Sequence, residues 1–308
     1  MRVVLAGGSG ALGRRLADDL AARGHEVVVL TRSPRPGPHR QVAWDGVTVG
    51  PWAAELAGAA LVNLAGELVD RRPTPAAVEL LTRSRVQPTA ALRAAAAQLA
   101  EPLPVWVQVT TVAVHGDAGE QLCTEDTPPA DGPPQMAGVA RAWEDAARGV
   151  HAERQVVLRT AVVLDRDTPA LDRLAGLVRW GLGGRIASGD QWTSWVHVTD
   201  WLRIVAAVLE PEGPPLSGVV VASAPNPVRN RELMATLRRV LHRPPAPPTP
   251  ALLVRLGAVL LRTDPALALT GRRVVSARLA EAGFAFTFPH LEPALRDLLG
   301  RDGGPRAH

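Results

Sequence analysis

The chain opens on a short apolar, partly β-branched run, Arg2 to Ala6, which reads as a buried strand. Gly7-Gly8-Ser9-Gly10-Ala11-Leu12-Gly13 follows. From Leu12 to Arg23 the apolar positions recur at helical spacing, and Gly24 ends the stretch as a C-cap glycine would. A second apolar run, Glu26 to Leu30, completes strand, glycine turn, helix and strand within about 30 residues. Ala60 to Leu64, Val105 to Thr110 and Gln155 to Leu158 read as further strands, and Ala76 to Leu99 and Val139 to Arg148 as helices, the first interrupted at Pro88. This alternation predicts an α/β fold: a Rossmann, doubly wound parallel sheet with ligands at the C-terminal ends of the strands.

Beyond Asp165 the pattern loosens, and prolines gather between Pro244 and Pro250. The expected organisation is a Rossmann domain over residues 1–165, a smaller substrate-binding lobe over most of 166–300, and a flexible tail at 301–308. The segment 195–222 is expected to return to the sheet.

The glycine turn has a physical purpose in this context. Glycines let the backbone turn tightly and approach a pyrophosphate, and the following helix offers free N–H groups at its positive end. Gly7, Ser9, Gly10, Ala11, Leu12 and Gly13 are therefore candidate dinucleotide contacts. An NAD site places Asp or Glu at the end of the second strand, for the ribose 2′-hydroxyl, whereas an NADP site places Arg nearby, for the 2′-phosphate. Here the strand runs into Thr31 and Arg32, with no acid before Asp45, so the expected cofactor is NADP(H).

Composition narrows the classes further. Of 308 residues, 46% are hydrophobic, enough for a sizeable core and against global disorder. Cys123 is the single cysteine, which points away from a disulfide framework and towards a reducing, cytoplasmic setting. The N-terminus enters a strand without a charged and then apolar leader, so secretion is not expected. The apolar stretch Ala251 to Leu261 carries Arg255 in its middle and reads as a packed helix rather than a membrane span. A net charge of only +4, with arginines scattered among 30 acidic residues, argues against a nucleic-acid partner. No His or Cys spacing resembles a metal site. The chain contains no Lys and no Tyr.

Further segments resemble one known group. They are Asn63-Leu64-Ala65-Gly66-Glu67, Ser84-Arg85, Leu158 to Leu164, the run from Gly181 through Ser188-Gly189-Asp190-Gln191 to Trp195-Val196-His197-Val198-Thr199-Asp200, Pro227 to Asn230, and Gly283 to Phe286. In order and over essentially the whole chain, they resemble the SDR39U-like, or YfcH-like, "epimerase family" subgroup of the extended short-chain dehydrogenase/reductase superfamily. The resemblance implies NADP(H) in the N-terminal domain and a substrate cleft against the C-terminal lobe. It adds Leu64, Ala65, Gly66, Glu67, Arg85 and Thr110 to the candidate cofactor contacts. It implies no settled reaction, because fold alone does not define one.

Typical members of the superfamily use a Tyr-x-x-x-Lys pair to move a proton while hydride moves at the adjacent carbon. This chain has neither residue type, and the corresponding place falls near Met136 to Ala140. Thr111 aligns with the orienting Ser or Thr of the superfamily, and His115 occupies a place where tyrosine is usual in the subgroup. Both are candidate catalytic residues, His115 as a proton donor or acceptor near neutral pH. Asp200 reads as the cap of a helix starting at Trp201, and His197 as packing the lobes or facing the substrate. Four of the eight tryptophans, Trp180, Trp192, Trp195 and Trp201, lie close together in sequence. They are expected to form an aromatic wall, with Trp192 and Trp195 against a small apolar or aromatic substrate. Two readings stay open: an NADP(H)-dependent oxidoreductase, isomerase or cyclase, and an inactive NADP(H)-sensing binding protein. A homodimer through the long helices flanking the sheet is a fold-level expectation.

Overall fold

Valine-rich, mostly apolar runs form the strands of one parallel sheet in a computed structural model, which describes residues 1–300 except Asp167 and Pro214. The tail expected to be flexible at 301–308 lies outside the described residues. The strands are β1 (Arg2–Ala6), β2 (Glu26–Thr31), β3 (Arg40–Ala43), β4 (Ala60–Asn63), β5 (Trp106–Thr111), β6 (Gln155–Thr160) and β7 (Gly218–Ala222). They lie in the order β7-β6-β5-β4-β1-β2-β3, every neighbouring pair parallel. The chain therefore winds one way from β1 and the other way from β4. The junction of these two strands is the switch point at which such sheets bind ligands.

Both faces of the sheet are covered, which is why the strands tolerate so few polar residues. Val3, Val4, Leu5 and Ala6 of β1 are all 0% exposed. Val3 and Leu5 point to one face, against Leu16 and Leu20 of α1 (Ala11–Ala22) and Ile204 and Val208 of α5 (Val198–Leu209). Val4 and Ala6 point to the other, against Leu92 and Ala95 of α2 (Pro75–Ala96) and against Trp52 and Trp106. Each fully buried leucine contributes about 2 kcal/mol relative to exposure, so Leu5→Asp would disrupt the central strand.

The helix α2 does not break at Pro88, as its sequence suggested. Its buried positions Leu81, Arg85, Thr89, Leu92 and Ala95 lie on both sides of the proline, so packing overrides the local preference. Thr74 caps its start by accepting from the Ala77 N–H.

The smaller lobe packs α4 (Pro169–Arg179), α6 (Asn230–Val240) and the C-terminal helix Leu291–Leu299 around Leu171, Val178, Leu237 and Leu295. Trp195–His197 does not join the central sheet but pairs in parallel with Val162–Leu164, whereas α5 and β7 return to it. The expected cap at Asp200 is corrected here. The helix α5 begins at Val198, and the His197 ring is its cap, Nδ1 accepting from the Thr199 N–H at 3.1 Å. Asp200, 0% exposed, instead accepts from the Thr287 and Phe288 N–H groups and so anchors the segment before the last helix.

A second correction concerns α7 (Ala251–Leu261), expected to be packed on its apolar face. Leu252, Leu253, Leu256 and Leu260 are more than half exposed, and Ala258 is buried. The helix is held near its C-terminal end instead: Arg72 donates to the Val259 carbonyl and Thr263 donates to Asp70.

Candidate functional site

The glycine turn brings the tips of β1, β2 and β4 into contact. Gly7 has φ +77°, and a Cβ there would stand 2.9 Å from the Ala65 backbone, so only glycine lets the turn lie against the segment after β4. A Cβ on Gly13 would stand 2.5 Å from Gly8 Cα, so α1 starts hard against the turn. Gly10 is the N-cap of α1 and contributes no side chain, which leaves the start of the helix to a ligand. Gly7, Ser9, Gly10, Ala11, Leu12, Gly13, Leu64, Ala65 and Gly66 thus all lie along one crest of strand tips.

Beside the crest is a cavity of about 550 Å³ between α1, the end of β2 and the loop before β3. The hydroxyls of Ser9, Thr31 and Ser33 and the guanidinium groups of Arg14, Arg32 and Arg35 line it. Thr31 Oγ1 donates to Ser9 Oγ at 3.3 Å and accepts from the Ser33 N–H at 3.4 Å. Arg14 donates to the Ser9 carbonyl at 2.8 Å. Arg32 is largely exposed, with Nη2 3.7 Å from Glu67 Oε1, while Glu67 also pairs with Arg71 at 3.2 Å. Sequence reasoning found Arg32 but missed Arg14, because a helical arginine five residues beyond Ser9 carries no motif.

At the other end of the crest, the expected residues are less free. Thr110, 3% exposed, donates to Glu144 Oε1 at 3.1 Å. Glu144 in turn accepts a two-pronged bond from Arg159, 2.9 Å on each side, in a buried pair. Through its hydroxyl Thr110 therefore ties β5 to the helix Val139–Ala146 (α3). Arg85 is committed likewise. It donates to the Leu81 and Glu67 carbonyls and lies 5.0 Å over Trp143, and burial lowers its guanidinium to about 10 against the opposing pull of Glu67. It positions the Glu67 segment from behind.

Thr111 is half-buried, and its Oγ1 accepts from the Ala113 N–H at 3.1 Å, capping the short helix Val112–His115. Its own O–H remains available to donate. His115 is 4% exposed, and burial first, then the charges of Arg159 and Arg272, push its imidazole down to about 4, against the opposing pull of the Pro128 backbone carbonyl. The expectation of a histidine titrating near neutrality is corrected: this imidazole is neutral at pH 7. Met136 and Ala140, where tyrosine and lysine would fall, are buried apolar groups.

The aromatic wall does not form. Trp195 is 0% exposed in the core of the smaller lobe, and Trp201, also 0% exposed, donates to Thr160. Trp180 is 86% exposed. Trp192 lies 4.6 Å from Arg229 and 4.9 Å from Arg273 and donates to Glu120. Sequence neighbours diverge here because strand and helix send them in different directions. The ring of His197, 1% exposed, lies 4.0 Å from that of Phe288, and its Nε2 is 3.3 Å from Asp297 Oδ2, so it joins β-strand, helix cap and C-terminal helix.

The acidic loop after β5 is spent on the lobe. Asp117 accepts from the Gly271 N–H, Glu120 pairs with Arg229, and Glu125 accepts from the Val221 and Ala277 N–H groups. Among the described residues no three His, Cys, Asp or Glu side chains gather into a metal cluster. No described helix is long and apolar enough to cross a membrane.

A parallel sheet with a glycine turn at its switch point, cradling backbone where a Cβ would clash, defines an NAD(P)-binding protein of Rossmann architecture. The profile of the NAD dependent epimerase/dehydratase family matches residues 3–137, and a domain of unknown function, DUF1731, matches residues 249–298. The chain is 36% identical over 305 residues to "Epimerase family protein SDR39U1" of Bos taurus, covering 97% of this chain and 100% of that protein. It is 29% identical over 313 residues to "Epimerase family protein YfhF" of Bacillus subtilis, covering 97% and 98%. The crystal structure of human epimerase family protein SDR39U1 (isoform2) with NADPH superposes with a TM-score of 0.86 at 34% identity, covering 98% of this chain and 100% of that one. The chain belongs to the SDR39U1 epimerase family.

Proposed function

We propose that this chain is an NADP(H)-binding enzyme that acts on a small, largely apolar molecule without a Tyr-x-x-x-Lys pair. The observation that carries the cofactor half is the cavity beside the glycine turn, where three arginines and three hydroxyls converge at the end of β2. Those groups suit a dianionic 2′-phosphate, and no acid follows β2 to receive a bare ribose diol. The NADPH in the human relative supports the same reading.

When bound, the nicotinamide supplies or accepts a hydride. This chain's own contribution at that end is Thr111, whose free O–H orients a substrate oxygen. Met136 and Ala140 are buried apolar groups and move no proton. Neutral His115 is not an acid at pH 7. A proton needed at the substrate oxygen therefore comes from solvent or from the substrate itself. Of the two tryptophans expected against the substrate, Trp195 is buried and Trp192 is half-exposed. The single cysteine supports a reducing, cytoplasmic setting; the Arabidopsis thaliana relative is named chloroplastic.

One observation favours a second reading, an NADP(H) sensor: two polar side chains near Met136 are tied into the fold, Thr110 by Glu144 and the Gln135 amide nitrogen by the Val69 and Arg71 carbonyls. Titration with NADPH and NADH, followed by NADPH consumption against a panel of small aldehydes, ketones and enones, separates the two. Turnover lost in Thr111→Ala supports the enzyme. Tight NADPH binding with no turnover on any of them leaves the sensor.

A further inference from the structure

The cavity beside the glycine turn contains one carboxylate, Asp18, in a wall otherwise rich in arginine. Left to itself it would repel a phosphate held by Arg14, Arg32 and Arg35. Its Oδ1 accepts from His39 Nε2 at 2.6 Å, so its charge is turned away from the arginines and towards the far end of the β2–β3 loop.

That loop needs an anchor. Between Arg32 and His39 it carries Pro34, Pro36 and Pro38, each lacking a backbone N–H, so it has few donors of its own. Its other ties are the Ser33 N–H to Thr31 Oγ1 and the Arg35 N–H to Gln41 Oε1, which stay within the β2–β3 connection and its flanking strands, and the long, exposed Arg32–Glu67 pair at 3.7 Å, which points towards the segment after β4. The His39–Asp18 bond is the tie that reaches across the cavity to α1, with His39 mostly buried and Asp18 mostly exposed.

We infer that the Asp18–His39 pair is a latch that holds the β2–β3 loop over the 2′-phosphate pocket, making both of them positioning residues for cofactor selectivity. The inference rests on the NADP(H) reading above. The latch shapes the pocket around the one group that distinguishes the two cofactors, so losing it weakens NADPH and leaves NADH nearly unchanged.

The test is fluorescence titration of the full chain with NADPH and with NADH, for wild type, Asp18→Ala, His39→Ala, the double variant and His39→Gln. A charge-assisted bond between partly exposed groups predicts that each single alanine variant weakens NADPH about tenfold and shifts NADH by less than about twofold. Because both variants remove the same bond, the double variant should be no weaker than either single one. His39→Gln, which keeps a donor for Asp18, should recover most of the affinity. Thermal melts check that the variants are folded; Asp18 lies on the surface and His39 at its edge, so little change is expected. Tighter NADPH binding in Asp18→Ala would show that Asp18 merely repels. An unchanged NADPH/NADH ratio, an equal loss for both cofactors, or additive losses in the double variant would also overturn the latch. If wild-type protein binds both cofactors equally, the NADP(H) reading falls first, and the latch with it.

Discussion

The two ends of the dinucleotide cleft rise from the tips of one sheet, yet they use their polar groups in opposite ways. At the β2 end, Ser9, Arg14, Arg32, Ser33 and Arg35 line an open cavity, and their ties to one another are short-range and partly exposed. At the β5 end, Thr110, Glu144 and Arg159 satisfy each other in the interior, Arg85 clamps two carbonyls, and His115 is held neutral. A polar residue at a strand tip is therefore not a ligand by position alone. What decides is whether its hydrogen bonds are already made within the fold. The contrast says that substitutions at the β5 end should register as stability and those at the β2 end as affinity.

The largest effect is expected at the Arg159–Glu144 pair, because removing one partner leaves the other charge buried and alone. Arg159→Ala should destabilise by about 3–5 kcal/mol in urea unfolding. A change below about 1 kcal/mol would mean the pair is hydrated and the β5 end is not interior at all.

His115 should give the next largest signal, and its sign is defined. A folded-state imidazole lowered from 6.5 to about 4 takes up its proton less readily than the unfolded chain does. The fold therefore loses stability as pH falls through the unfolded value, by about 3 kcal/mol once pH 4 is reached. His115→Gln should flatten the slope of stability between pH 7 and pH 4 by about that amount. Identical slopes for wild type and variant would place this imidazole in water and reopen it as a proton donor.

At the β2 end, Gly13→Ala tests the turn itself. A Cβ at 2.5 Å from Gly8 Cα must push backbone aside, costing about 1–3 kcal/mol of stability, with cofactor binding lost to a larger degree than the melt alone would suggest. Smallest in energy, Arg32→Ala should cost NADPH about tenfold, or about 1.4 kcal/mol, with NADH untouched and the melting temperature unchanged. A stability loss here, or an equal loss for both cofactors, would break the comparison from its other side.

Much of the architecture was legible before any coordinate. The buried strands announced themselves as valine and leucine runs, and Arg2–Ala6 and Glu26–Thr31 lie where the hydrophobic pattern put them, within a residue. Gly7 and Gly13 were legible for a similar reason: a position where a Cβ collides with backbone can hold only glycine, so the constraint is written in the residue itself. Pro88 misled because propensity is a local weight, easily exceeded by packing on both sides of it. The tryptophans mislead because closeness in sequence is not closeness in space. Trp192, Trp195 and Trp201 lie within ten residues yet on two strands and a helix, and only Trp192 stays half-exposed at Arg229 and Arg273.

What the sequence by itself determined is the class of fold, the place of its switch point and the absence of a Tyr–Lys pair, because periodicity, glycine and composition are properties of the chain alone. What only the tertiary structure decided is which polar groups are free. Asp18 met His39 across 21 positions, Arg159 met Glu144 across 15, and Arg85 turned back to the Glu67 carbonyl across 18. A hydrogen bond is short and directional, so whether a side chain is spent on its neighbours or left for a ligand depends on distances that exist only once the chain has folded.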